Sequence, residues 1–367
     1  MAPRSLLIVR LSALGDVIHV LPALAALRAA FPEAKIGWAV EDRAASVVEG
    51  HPHVDRVHVI PRRAWTEGLR KGAGLRVLGG MRGMVAELRR ERYEVALDFQ
   101  ANFRSSSCAY LSGAPRRIGQ PKPYSKEGSR LLFTETPRAV APERHKIERN
   151  LALLECLGVR PTEVPRPHVV RPEAALLGPR AGGPRVVLHP GVSAFGALKA
   201  WREEQFAALG QRLAADGCEV LFAWGGAKER AQAERVAAAA PGTAITPPTA
   251  SVPALARLLE EADLFVGVDS GPLHLAAAVG TPVLGLYGPK HPGTYGPFWP
   301  GSQVVRADEP CSPCKHRRCP RPDAAQVAVE GERRPVRISP CMDALTVEAA
   351  HAAARDLLAA RGAPPVG

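Results

Sequence analysis

Aromatic side chains are scarce in this chain: Phe, Trp and Tyr make up 5% of its 367 residues. With so few stacking surfaces and no recognisable nucleic-acid module, binding to nucleic acid is disfavoured. Long apolar runs are also missing, since no segment approaches the roughly 20 uncharged apolar residues of a membrane span. Residues 5–27 resemble a signal peptide at a glance. However, Arg10 and Asp16 interrupt the stretch, and no small-residue cleavage site follows it. The expectation is a cytoplasmic chain, peripheral to a membrane at most. There is no Walker loop, and no G-x-G-x-x-G to support a dehydrogenase. Internal repeats and low-complexity tracts are absent as well.

What is present is a globular composition of 46% apolar residues and length for roughly two domains. The net charge of +12 is unevenly placed. Up to Arg180 there are 29 Lys or Arg against 18 Asp or Glu, a balance of +11; the remainder has 19 against 18, a balance of +1. The first half should therefore attract an anion, whether a phosphorylated glycan, an anionic membrane surface or nucleic acid, or else simply carry a solvated basic surface. Strand and helix patterns alternate. Strands are expected at Leu6–Val9, 35–40, Arg56–Ile60, 95–99, Arg185–His189, 219–224, Leu264–Val268 and 282–287. Helices are expected at 16–31, 81–92, 145–157, 203–216, 229–239, 252–261, 272–279 and 347–358. Such alternation predicts an α/β protein with parallel sheets covered by helices. Residues 158–184 are rich in Pro, Gly and Arg and read as a linker. The division is residues 1–170, linker 171–184, a second sheet domain over 185–345, and a terminal helix and tail over 346–367. Two such sheets would place a site between them, at the carboxyl ends of strands.

The most informative stretch is 264–297, LFVGVDSGPLHLAAAVGTPVLGLYGPKHPGTYGP. It reads as strand, tight turn, helix, strand. The turn Asp269-Ser270-Gly271 leaves the first N–H groups of a helix aimed at one point, with Ser270 and His274 as further donors within one turn. That suits a phosphate or diphosphate; the alternative is an ordinary helix capped by Ser270 or Asp269. Three more clusters sit at strand ends. In residues 10–16, RLSALGD, Asp16 falls on a helix start, where it either caps the helix or acts as general base toward a hydroxyl. His189-Pro190-Gly191 is followed by Ser193 and Lys199, a lysine suited to a diphosphate. Trp224-Gly225-Gly226 leads to Glu229, a ribose acceptor or an ordinary first-turn acid.

Four of these segments, in this order, carry a resemblance: LLIVRLSALGDVIHVLPAL, HPGVS with LKAWREEQF, WGGAKE, and GVDSGPLHLAAAVGTPVLGLYGP. Together they resemble glycosyltransferase family 9, the heptosyltransferases of the lipopolysaccharide inner core. WAVEDRAA, HPHVDRVHVIPRRAW, LDFQANFRSS and RHKIERNLALLECLG look most like its heptosyltransferase I branch. The resemblance implies a GT-B fold, two Rossmann-like domains with parallel sheets facing a central cleft. It implies an acceptor of the Kdo-lipid A type on the basic N-terminal half and ADP-heptose on the other, at the inner face of the inner membrane. Asp16 would be the base for inverting, metal-independent transfer. Ser193, Lys199, Ser270, Gly271 and His274 would hold the diphosphate, Glu229 the ribose, and Asp269 would orient the donor. Arg62, Arg63, Gln100, Asn102, Arg104, Lys126 and Arg149 are candidates for the acceptor's anionic groups; each charged one reads equally as a solvated surface residue. One departure is Lys290-His291, where the family usually has Thr-Asp, which leaves the sugar and nucleotide open. Heptosyltransferase II, a transferase for another sugar, and a non-catalytic polyanion-binding protein are the competing readings.

Seven cysteines complete the sequence. Cys108, Cys156 and Cys218 sit in apolar contexts and read as core thiols. Cys311, Cys314, Cys319 and Cys341 form C-x2-C-x4-C-x21-C, compatible with a structural zinc, a disulfide pair or unligated thiols.

Overall fold

Strands of a parallel sheet are buried on both faces, so they need uninterrupted apolar runs rather than alternation. The chain supplies them, and in the computed structural model the run Leu6–Val9 and the strands Leu264–Val268 and Val283–Tyr287 are buried at every residue. The structure describes residues 2–180, 182–192, 194–249, 251–314, 316, 319–321, 324, 326–327 and 336–362. It divides into two compact units, Met1–Val170 and Arg171–Gly367.

The first unit contains β1 (Ser5–Val9), α1 (Leu14–Ile18), α2 (Leu21–Ala30), β2 (Lys35–Glu41), β3 (Arg56–Ile60), α3 (Arg62–Arg70), α4 (Gly74–Arg90), β4 (Val95–Asp98), α5 (Phe103–Leu111), β5 (Arg116–Gly119) and α6 (Lys146–Ala152). Its five strands are all parallel, in the order β3-β2-β1-β4-β5. Leu7, Val9, Ala39, Leu88, Tyr93 and Ala96 are among the side chains of one core layer. Packing there is close: a Cβ at Gly37 would lie 1.9 Å from Tyr93 Oη, so only glycine fits. The single helix expected over 16–31 is instead two. Pro22 stands at the second position of α2 and has no N–H for the carbonyl of Ile18, so the chain turns at His19–Val20. The helix expected over 81–92 begins earlier, at Gly74, and α3, α5 and β5 were not anticipated.

The second unit contains β6 (Arg185–His189), α7 (Glu203–Ala215), β7 (Glu219–Phe222), α8 (Ala227–Ala238), β8 (Thr243–Ile245), α9 (Val252–Glu260), β9 (Leu264–Val268), α10 (Gly271–Val279), β10 (Val283–Tyr287), α11 (Pro292–Tyr295) and β11 (Ser302–Arg306). Its six strands are parallel, in the order β11-β10-β9-β6-β7-β8. A two-residue antiparallel pair, β12 (Gln326–Val327) and β13 (Val336–Arg337), precedes α12 (Pro340–Asp343) and α13 (Val347–Gly362). The last helix packs on α7 and on β9, β10 and β11. Its Ala350, Ala353 and Ala354 join Leu188, Phe206, Phe222, Val266 and Leu286 in one core. No helix among the described residues is long and apolar enough to cross a membrane.

Candidate functional site

Strand order alone marks two places for chemistry. In an open parallel sheet, ligands bind at the carboxyl ends of strands where consecutive connections depart in opposite directions. In the first unit the chain runs outward from β1 to β2 and β3, then returns to β4 on the other side of β1. In the second unit it runs from β6 to β7 and β8, then returns to β9 beside β6. The first switch point is therefore flanked by the loops after β1 and β4, the second by those after β6 and β9.

Asp16 occupies the first. It is the third residue of α1, and Ala13 N–H donates to its Oδ2 at 3.4 Å. Arg10 Nη2 lies 2.5 Å from Oδ2, and Lys146 Nζ pairs with Oδ1. Burial pushes the carboxyl up, but Arg10 and Lys146 outweigh it and hold Asp16 far below the usual carboxylate range. Arg10 is itself buried, and its Nη1 donates to Phe99 O at 2.8 Å. Lys146 opens α6, which is tied to the same region by Asn150 Nδ2 donating to His19 O at 2.9 Å. The loop after β4 is shaped by Asp98, which accepts from Gln100 N and Ala101 N at 2.9 Å and from Ser105 Oγ at 2.8 Å. Burial pushes the Asp98 carboxyl up to about 6. That turn presents Gln100, whose Oε1 accepts from Leu11 N at 3.0 Å and Ser12 N at 3.2 Å. The two loops are thus stitched together beneath Asp16.

At the second switch point, Lys199 and Asp269 reach each other across the loops after β6 and β9. Lys199 Nζ is 3.0 Å from Asp269 Oδ2, and His274 Nε2 is 3.2 Å from Oδ1. Burial raises the Asp269 carboxyl, but His274 and Lys199 prevail and bring it to about 2. Ser270 sits at the cap position of the nine-residue α10, yet its side chain makes no capping bond, and its buried Oγ has no partner in the structure. An unmet hydroxyl beside unmet helix N–H groups and a lysine is a set of donors awaiting an anion. After the neighbouring strand β7, Glu229 Oε2 in the first turn of α8 accepts from Gly225 N at 2.8 Å and lies 3.8 Å from His189 Nε2. The His189 imidazole, working against burial, lowers the Glu229 carboxyl. Gly191 faces this pair; a Cβ there would lie 3.0 Å from His189 Cε1 and 3.2 Å from Glu229 Cδ. His189 Nδ1 is buried and unpartnered.

The other anticipated residues divide. Arg62 and Arg104 converge on the buried Glu41, at 3.3 and 3.1 Å. Burial raises that carboxyl and Arg62 opposes the rise. Arg63 contributes its backbone N–H to Asp42 Oδ2, and Lys126 is exposed. Asn102 is occupied as the cap of α5, accepting from Ser105 N at 3.0 Å. Arg149 stacks on Tyr124 at 4.5 Å and donates to Arg144 O and Pro142 O. Ser193 lies outside the described residues. Cys311, Cys314, Cys319 and Cys341 are all free, and the described residues contain no group of three His, Cys, Asp or Glu able to hold a metal ion. The zinc expectation therefore finds no ligand set. Cys314 N–H is fixed to Pro289 O, while Cys341 is buried on α12 with its thiol on Ser339 Oγ. Arg10 and Lys146 received no role from the sequence. The signal for Arg10 was a charged residue directly ending a buried strand; for Lys146 none existed, since 130 residues separate it from Asp16.

Comparison with known proteins meets this geometry. The profile of glycosyltransferase family 9 (heptosyltransferase) matches residues 81–325. The chain belongs to glycosyltransferase family 9. It is similar to lipopolysaccharide heptosyltransferase 1 of Pseudomonas aeruginosa, 32% identical over 319 residues that span 85% of this chain and 86% of the relative. The namesake in Escherichia coli K12 is 30% identical over 82% of this chain and 93% of its own. Among solved structures, E. coli heptosyltransferase WaaC with ADP superposes with a TM-score of 0.69 at 26% identity, covering 83% of this chain and 93% of that one. The chain is accordingly a glycosyltransferase, and its two units are the pair of parallel-sheet domains of the GT-B class.

Proposed function

We propose that this family 9 enzyme transfers a heptose from ADP-heptose to the Kdo-bearing inner core of lipopolysaccharide, with inversion and without a divalent ion. The observation that carries the reading is the unpartnered Ser270 hydroxyl at the start of α10, beside the Lys199–Asp269–His274 chain. Those donors suit a diphosphate, and relatives solved with ADP and with ADP-2-deoxy-2-fluoro heptose point the same way. Lys199 and the backbone N–H groups of Gly271 and Leu273, Pro272 between them having none, would take up the charge developing on the departing ADP. Asp269 would keep Lys199 and His274 in place, and Glu229 would accept from the ribose hydroxyls.

Asp16 would accept the proton of the attacking hydroxyl. Two cations make it a weak base in the free enzyme, but the hydroxyl becomes acidic as its bond to the anomeric carbon forms. Arg62, Arg63, Arg104, Lys126 and Arg149 are the candidates for the acceptor's carboxylates and phosphates. Lys290 and His291, next to α11, are where a different sugar or nucleotide would be selected.

Incubation with ADP-heptose and Kdo-lipid A, followed by mass spectrometry of the lipid, tests this directly. One added heptose is expected, and the yield should survive EDTA. Transfer only to an already heptosylated core would reassign the chain to the second step. Preference for another nucleotide sugar in competition would overturn the donor.

A further inference from the structure

We propose that the outer face of α4 is a docking surface for an anionic phospholipid bilayer. A helix on the flank of a sheet normally keeps its apolar stripe inward and a polar face outward. Helix α4 keeps Val77 and Leu88 inward, yet on the opposite side Leu75 is 89% exposed and Leu78 45%. Arg82 and Arg89 continue the same face at helical spacing. Met81, Arg82, Val85, Ala86 and Arg89, with Leu111 of α5, line a groove of about 450 Å³ further along. The neighbouring α3 has no fully buried residue, only Trp65 resting on the core, and adds Leu69, 58% exposed. Residues 62–92 hold nine Lys or Arg against three Glu, a balance of +6 in a chain whose total is +12.

Exposed leucines alternating with arginines on one helix face match the boundary between lipid headgroups and acyl chains: the apolar side chains enter it and the guanidiniums meet phosphates. The charge chooses among occupants. A second copy would bring +6 against +6 and be repelled. A nucleic acid would use the arginines but leave Leu69, Leu75 and Leu78 in water. An anionic bilayer uses both.

The placement is also useful. Helix α4 must return the chain to the start of β4, so its first turns lie toward the carboxyl end of the sheet, the end that carries Asp16. A lipid-anchored acceptor would then be met at the same end. That purpose rests on the proposed function; the binding does not, and the two are measured separately.

The test is flotation of the full chain with vesicles of phosphatidylglycerol and phosphatidylcholine, against phosphatidylcholine alone. Binding is expected only to the anionic vesicles. Arg82→Gln should weaken it about fivefold, the worth of one basic residue near an anionic surface. Leu75→Ser with Leu78→Ser should weaken it about tenfold or more. ADP binding should be unchanged in each variant, and Leu75→Ser alone, at the most exposed position, serves if the double variant does not fold. In detergent micelles the variants should glycosylate acceptor as wild type does, while with vesicle-embedded acceptor they should be slower. No flotation of wild type, or leucine variants that float like wild type, would overturn the proposal. So would a dimer that the leucine changes dissociate while vesicle binding persists.

Discussion

A carboxylate between two cations is the feature that most constrains the chemistry of single residues. Asp16→Asn should cut turnover by roughly 10²-fold or more, the scale of general acid–base catalysis, and leave ADP affinity intact, because the groups proposed to bind the nucleotide belong to the other unit. Wild-type turnover in that variant would remove Asp16 from the base role. Its depressed pKa also ties it to stability. The ionised form is favoured in the folded state, so its contribution is present above the ordinary carboxylate range and fades as pH falls below about 4. The stability gap between wild type and Asp16→Asn should accordingly narrow on acidification in urea titrations. Lys146→Met should move the acid limb of kcat/KM to higher pH, since the carboxyl loses one of the charges that hold it down. An unmoved limb would show that Lys146 does not set the basicity of Asp16. In the second unit, Lys199→Ala should weaken ADP binding by about 1.5–3 kcal/mol, the range for a hydrogen bond to a charged group, as read by calorimetry.

At the scale of elements, the loop after β6 is the tightest test. A Cβ at Gly191 meets side chains, the His189 ring at 3.0 Å and the end of the flexible Glu229 side chain at 3.2 Å, rather than backbone, so Gly191→Ala should be tolerated by the fold. It should displace Glu229 and reduce ADP affinity by about 1 kcal/mol, the worth of one hydrogen bond, with little change in Tm. Unchanged affinity would detach Glu229 from the nucleotide. Elements whose signal is continuous apolar sequence were legible: the runs of β1, β6, β9 and β10 need no partner to be seen. The longer amphipathic helices α7, α8 and α9 were legible too, whereas short or polar elements were not. Helix α3 has a short apolar stripe, Trp65 and Leu69, in a nine-residue segment, and only Trp65 packs on the core, which is too little to mark it in the sequence. Helix α5 opens on the Asn102 cap and a serine run that reads as loop. Pro22 was visible, but whether it kinks or divides a helix depends on the packing around it. The site followed the same rule. Residues adjacent in sequence, such as Asp269, Ser270 and His274, could be grouped beforehand. Lys199 could be paired with them only through family resemblance, and Lys146 with Asp16 only once β1 and α6 were folded together. Gln100 and Asn102 show the converse: polar residues that suit a ligand are also what loops use to hold themselves.

For the molecule as a whole, the uneven charge is the property with the widest reach. Binding of an anionic acceptor to the first unit should weaken steeply with salt, while ADP, which we propose is held by short contacts at the start of α10, should weaken less. Equal slopes in paired titrations at low and high ionic strength would mean that the basic residues of the first unit act only as a solvated surface. The fold adds an asymmetry in time. The first unit closes its sheet with residues that precede Arg171, whereas the second draws α13, which follows all six strands of its sheet, into its core. During synthesis the first unit can therefore complete its packing while the second is still being made, because domains generally fold as units. The second must wait until residues 347–362 have left the ribosome tunnel. Until then the apolar side of β9 and β10 stands open to chaperones and to aggregation. A ribosome stalled short of α13 would carry a first unit already native and a second unit that protease still cuts.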